Sequence, residues 1–175
     1  MGEILEEKKP KELVEDSYLG NIDATYKCDS SAVKNINSDE MNLKFYYTLD
    51  DYLRELDTML VIQPVQFGFT GNPFENEKRY FPIDFDYPIK YYSVCEISLA
   101  ENLRPVSIPE PIALEIPGIR FTKNCMFDGV KVIINCQLAI TQPAYPPLVY
   151  PDIRKLFIDM AAASTEEIVL VSASD

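Results

Sequence analysis

Residues 118–141 read GIRFTKNCMFDGVKVIINCQLAIT, and this stretch decides the fold. On its C-terminal side Val130, Val132, Ile134, Cys136, Leu138 and Ile140 recur at period two, the spacing of a strand with one buried face. On its N-terminal side Phe121, Cys125 and Phe127 repeat the pattern, with Lys123 interrupting it. Asp128-Gly129 between them favours a two-residue type I′ hairpin loop. That loop would set Phe127 opposite Val130, Cys125 opposite Val132 and Phe121 opposite Cys136. Such a hairpin presents a broad apolar face that needs a second layer, which predicts a β-sandwich-like domain.

The chain around it has 175 residues, enough for a full-sized domain, and its 47% apolar content is sufficient for a core. The excess of 28 acidic over 16 basic residues leaves a formal charge of −12, which opposes binding to nucleic acid or anionic lipid. The longest apolar runs are strand-sized, so no transmembrane segment is expected. The start, MGEILEEKKPKELVEDS, lacks the long apolar core of a secretory signal. Residues 1–20 read as a partly flexible charged leader, and residues 21–175 as a single β-sandwich-like domain.

Alternation recurs along the chain. Ile22, Ala24, Tyr26 and Cys28 mark one strand, and residues 29–40 read as a polar loop. Leu43, Phe45, Tyr47 and Leu49 mark a second strand, followed by a short helical turn near residues 50–55 and a strand over residues 58–63. In the loop QFGFTGNPFENEKRYFP, Phe67, Phe69 and Phe74 read as packing anchors. Residues 91–100 place Cys95, Ile97 and Leu99 on one face of another strand. Pro105, Pro109, Pro111 and Pro117 confine residues 104–118 to short edge pieces, because proline has no amide donor for a ladder. Pro151 opens a helix whose apolar face carries Ile153, Leu156, Phe157 and Met160, and Ile168-Val169-Leu170-Val171 reads as a last short strand.

The sequence contains no histidine, so neither a Cys-His nor a Ser-His-acid centre can be assembled within one chain. Cys28, Cys95, Cys125 and Cys136 include no CxxC and sit in strand-like contexts, so they read as free core thiols. GFTG at Gly68 is too short for a phosphate loop. No catalytic residue, cofactor or metal is assigned. Asp84 and Asp86, two apart, would share a strand face; they are the weak cation-site candidates, with a solvated strand face as the plainer reading. Tyr80, Tyr87, Tyr91, Tyr92, Tyr145 and Tyr150 would form a recognition surface for sugar or protein if several were exposed together, against a structural use in core and loops.

Two stretches carry a family resemblance. NPFENEKRYFPIDFDYP contains Asn72-Pro73-Phe74, Arg79 and Phe81-Pro82-Ile83-Asp84-Phe85. ITQPAYPPLVYPDIRKLFIDMAAASTEEIVLVS contains Tyr150-Pro151 before the helix and Ile168-Val169-Leu170 at its end. Together they resemble the C-terminal accessory domain of bacterial, Bacteroides-type multi-domain transglutaminase-like proteins, across about residues 12–172. The resemblance implies an immunoglobulin-like β-sandwich with one short C-terminal helix and a neighbouring papain-like catalytic domain in the parent protein. It also implies a periplasmic or cell-surface setting. The Cys-His-Asp machinery of that family belongs to the neighbouring domain, and no position of this chain corresponds to it.

The expected role is therefore a non-catalytic structural or interaction domain accompanying a transglutaminase- or protease-like catalytic domain. The alternatives are an independent glycan- or protein-binding module and a carboxylate-based hydrolase using Asp84 with Asp86. The implied partner is a neighbouring domain of the same parent, with no nucleic acid.

Overall fold

The computed structural model describes residues 12, 25–34, 41–50, 52–64 and 72–172. Apart from Glu12, the leader lies outside the described residues, as do Ile22, Ala24, Phe67 and Phe69. The chain divides into two compact units, residues 1–54 and 55–175.

In the first unit β1 (Thr25–Lys34) pairs antiparallel with β2 (Asn42–Asp50). The alternation read in β2 is present: Leu43, Phe45, Tyr47 and Leu49 are half-buried and the residues between them exposed. β1 continues through residues 29–34, where the polar composition predicts a loop. A bulge between Cys28 and Ser30 makes this work. It drops Asp29 from the ladder, so that its carboxylate accepts from Thr48 Oγ1 at 2.9 Å and faces Lys27 Nζ at 3.3 Å. The chain beyond then pairs Ser31 with Phe45 and Val33 with Leu43.

The second unit is built on two four-stranded antiparallel sheets. One contains β3 (Arg54–Leu56), β4 (Met59–Ile62), β12 (Ile168–Ser172) and β7 (Leu103–Ser107), in that spatial order. The other runs β6 (Ile89–Ser98), β10 (Lys131–Ile140), β9 (Ile119–Phe127), β8 (Ile112–Ile116). β5 (Ile83–Asp84) and β11 (Ala144–Tyr145) form a small ladder, and a 3-10 turn at Pro147–Val149 leads into helix α1 (Tyr150–Ser164). The protein is mostly β, of the sandwich class, with one short C-terminal helix, as the patterning predicts. The proline-bounded pieces β7 and β8 are sheet edges, also as expected. The segment near residues 50–55 departs from expectation. Arg54–Leu56 is a strand, and Asp57 at φ 55° makes the tight turn into β4, a left-handed conformation that aspartate tolerates.

The β9–β10 hairpin turns one residue later than Asp128-Gly129 predicts. Phe127 pairs with Val132, Cys125 with Ile134, Phe121 with Leu138, and Lys123 with Cys136. Asp128 Oδ1 accepts from Val130 N at 2.9 Å and Lys131 N at 2.7 Å, and Asp128 N donates to Lys131 O. The aspartate thus serves as the acceptor that closes the turn, and Gly129, at φ 101°, takes the left-handed position. Moving the turn by one residue on both strands leaves every side chain on its original face. Val132, Ile134, Cys136, Leu138 and Ile140 are accordingly buried, as are Ile119, Phe121, Lys123 and Cys125. Val130 is instead exposed in the turn.

Helix α1 packs against β8 and buries Ile153, Leu156, Phe157, Met160 and Ala163. Pro151 stands in its first turn, where a missing amide costs nothing, and Asp152 adds a negative charge where the helix dipole favours one. After the helix the chain passes directly into β12, whose Ile168 and Leu170 are fully buried between β4 and β7.

Candidate functional site

Asn72-Pro73-Phe74, singled out in the sequence, is a device for delivering an aromatic ring. Asn72 Oδ1 accepts from Phe74 N at 2.9 Å and Asn72 Nδ2 donates to Phe74 O at 3.0 Å, closing the backbone around Pro73. Phe74 is thereby buried edge-to-face against Phe157 at 4.9 Å, Tyr150 at 5.9 Å and Phe85 at 6.4 Å. Phe85 meets Tyr145 edge-to-face at 5.9 Å. The Tyr150 hydroxyl donates to Asn76 O at 2.5 Å, tying the start of α1 to the same loop. Further along, Arg79 Nε donates to Phe81 O at 3.2 Å and shapes the approach to β5.

The six tyrosines are therefore not brought together on one surface. Tyr145 and Tyr150 lie inside this aromatic cluster, 4% and 2% exposed. Tyr80, at 82% exposed, and Tyr87 flank β5 on the outside; Tyr92 is exposed on β6, hydrogen-bonded to Asn135 Oδ1, and Tyr91 is half-buried on the opposite face of that strand.

Asp84 and Asp86 do not share a strand face. β5 ends at Asp84, and Asp86 sits at φ 62° with its amide donating to Asp84 Oδ1 at 2.9 Å. The pair is an aspartate-closed turn in which one carboxylate oxygen is already used. Among the described residues no group of three or more Cys, Asp or Glu stands in a metal-holding arrangement.

The most unusual chemistry lies on the inner face of the β6–β10–β9–β8 sheet. Lys123 points into the core and is 1% exposed. Its Nζ donates to the Ala163 carbonyl in the last turn of α1 and lies 2.8 Å from Glu166 Oε2, just beyond the helix. A cation is favoured there because carbonyls at a helix C-terminus lack intrahelical donors and carry partial negative charge. Cys136 pairs across the strand with Lys123, and Cys125 lies two residues along β9. Burial pushes the Cys136 thiol up to about 11, and the nearby ammonium only partly opposes it. Burial raises Cys125 too, against the same ammonium. Both are protonated at neutral pH, which is the opposite of what a nucleophilic thiol requires. All four cysteines are thiols outside any disulfide.

In the sequence Lys123 reads only as an interruption of the alternation, and Glu166 beside Glu167 reads as an uninformative pair of adjacent acids. A charged residue at an inward strand position was the available signal. Its partners stand 40 and 43 residues away in the chain, beyond the reach of any local pattern.

Residues 57–170 match the family described as a domain of unknown function with solved structure, DUF3858. The fold is also similar to the crystal structure of a "putative protease" from Parabacteroides distasonis ATCC 8503, at a TM-score of 0.54 and 13% identity over 66% of this chain. The present chain spans 24% of that protein's length, and the likeness is one of fold. No curated protein matches the sequence. The aromatic cluster and the buried lysine tie fall within the matched residues, and the chain belongs to the DUF3858 family.

Proposed function

We propose that this chain is a non-catalytic accessory domain that supports a protease- or transglutaminase-like catalytic domain in a longer protein. The observation that carries the reading is that the buried cluster of ionisable groups around Lys123 is spent on structure. Lys123 ties a helix end to a sheet while the neighbouring thiols are held protonated. The absence of histidine from the sequence and the 24% span of a longer protein support the same reading. The resemblance of the Asn72-Pro73-Phe74 and Tyr150-Pro151 stretches to Bacteroides-type accessory domains makes a periplasmic or surface parent the natural setting. The test is to express the domain alone, the adjacent catalytic domain alone, and both together. A gain in thermal stability or a co-purifying complex is expected. Two domains that neither bind nor stabilise each other, with activity unchanged when this one is deleted, would refute the proposal.

A second reading rests on the exposure of Tyr80, Phe81 and Tyr87 around β5. Aromatic rings in water near one another suit sugar or peptide recognition. Glycan-array binding lost in a Tyr80→Ala/Tyr87→Ala variant would favour it; an array blank for the parent chain would count against it.

A further inference from the structure

The two large sheets have four outer edges, and three are blunted. β3 is three residues long, β7 carries Pro105 within it, and β8 is five residues between Pro111 and Pro117. Short strands and prolines are how proteins prevent a sheet edge from pairing with another strand. β6 has neither protection: it runs ten residues, Ile89–Ser98, without a proline.

The backbone bonds along this edge follow from one contact. Leu99 N donates to Val130 O at 3.0 Å, continuing the β6–β10 register. Hydrogen-bonded pairs alternate in an antiparallel ladder, so the odd-numbered residues of β6 bond to β10. Lys90, Tyr92, Val94, Glu96 and Ser98 therefore aim their N–H and C=O groups away from β10, at an edge that no other strand among the described residues pairs. Their side chains are exposed as well, Tyr92 at 66% and Val94 at 46%.

We infer that β6 is a self-association edge, where a second copy of this chain adds antiparallel to form a continuous eight-stranded sheet across a twofold axis. The register that places Ser93 opposite the partner's Ser93 is self-complementary. Lys90 then faces the partner's Glu96, and Tyr92 faces the partner's Val94, each pair occurring twice by symmetry. On the inner face Ile89 meets the partner's Ile97. Shifting the axis to Val94 would set Lys90 against Ser98 and Tyr92 against Glu96, and the charge pairing would be lost. Glu96 holds Lys131 of its own chain through Oε2 at 2.8 Å, leaving its other oxygen for the incoming ammonium. Lys90 has no carboxylate partner among the described residues. This association is tested by self-assembly alone and stands or falls independently of the catalytic neighbour proposed above.

Sedimentation velocity over a concentration series tests the inference, run at about 0.15 M salt so that screening within roughly 8 Å mutes the charge of each copy. A monomer–dimer equilibrium is expected. Val94→Pro should weaken it by about tenfold or more while leaving circular dichroism unchanged, because the amide it removes faces the edge and not β10. Lys90→Glu and Glu96→Lys should each weaken self-association. Mixing these two variants should restore a dimer, since every carboxylate then again faces an ammonium. A chain that stays monomeric throughout overturns the inference, whether or not it binds some other protein. A dimer indifferent to Val94→Pro, or to both charge reversals, also overturns it. If the proline variant does not fold, the reversal and mixing series decides alone.

Discussion

Lys123 Nζ lies 2.8 Å from Glu166 Oε2 while its aliphatic stem is wholly buried, so one side chain joins the central sheet to the end of the helix. The two partners are unequal. Lys123 has no solvent to return to, whereas the Glu166 side chain is about half exposed. Lys123→Ala should cost about 2–4 kcal/mol, from lost packing and an Ala163 carbonyl left without its donor. Lys123→Met should cost less because it keeps the stem and removes the charge, whereas Glu166→Gln leaves the buried ammonium without its counter-charge and should cost about 1–3 kcal/mol. Urea denaturation of the three variants checks this; a Lys123→Met loss exceeding that of Lys123→Ala, or a Glu166→Gln variant as stable as the parent, would contradict the account.

The inner-face thiols should be chemically silent. An aromatic disulfide reagent at neutral pH is expected to leave Cys125 and Cys136 unmodified in the folded protein and to label both in denaturant, with half-buried Cys95 reacting sooner. Linkage adds a pH signature. The folded Cys136 value of about 11 lies above its ordinary 9.0, so the stabilisation from keeping it neutral is complete below pH 9 and declines as pH rises from there towards 11. Cys136→Ala should make that alkaline decline shallower in thermal melts.

Asp128 gives an acid-side signature of opposite sign. Hydrogen bonds from the Lys131 and Val130 amides hold its carboxyl below the ordinary value. The stability this contributes is present above the ordinary carboxylate value and is lost as pH falls through the depressed one. Asp128→Asn preserves an acceptor oxygen for the turn and removes the titration. Melts of the parent should therefore lose more than melts of this variant on acidification, and equal losses would argue that the turn is not the source.

Two glycines in left-handed conformations should respond differently to a methyl group. Gly118 at φ 83° faces the Tyr145 hydroxyl, which would lie 2.5 Å from an added Cβ. Gly129 at φ 101° has nothing within 4 Å of that position. Both Gly→Ala variants incur backbone strain of about 1–2 kcal/mol, and Gly118→Ala must also displace a ring of the aromatic cluster. The larger fall in melting temperature is expected for Gly118→Ala, together with a change in near-ultraviolet tyrosine signal that Gly129→Ala does not produce.

What the sequence by itself determined is everything that depends on local period and backbone chemistry. Val132 to Ile140 announce a strand because alternate residues of any strand face the same side. Pro105, Pro111 and Pro117 announce edges because they lack a donor, and Pro151 with Ile153, Leu156, Phe157 and Met160 announces the helix and its buried face. The polar second half of β1 escaped the pattern because a bulge at Asp29 and pairing with β2 hold residues that have no apolar alternation of their own. The hairpin register escaped it because Asp128-Gly129 fits two neighbouring turns, and the choice lies in which amides reach the aspartate carboxylate. Only the tertiary structure decided that Tyr145 and Tyr150 belong to an aromatic core while Tyr80 stands in solvent, since burial depends on segments far apart in the chain. It alone turned Lys123 from a break in a pattern into the residue that secures the helix, because the carbonyl and carboxylate that make a buried ammonium tolerable come from the far side of the fold.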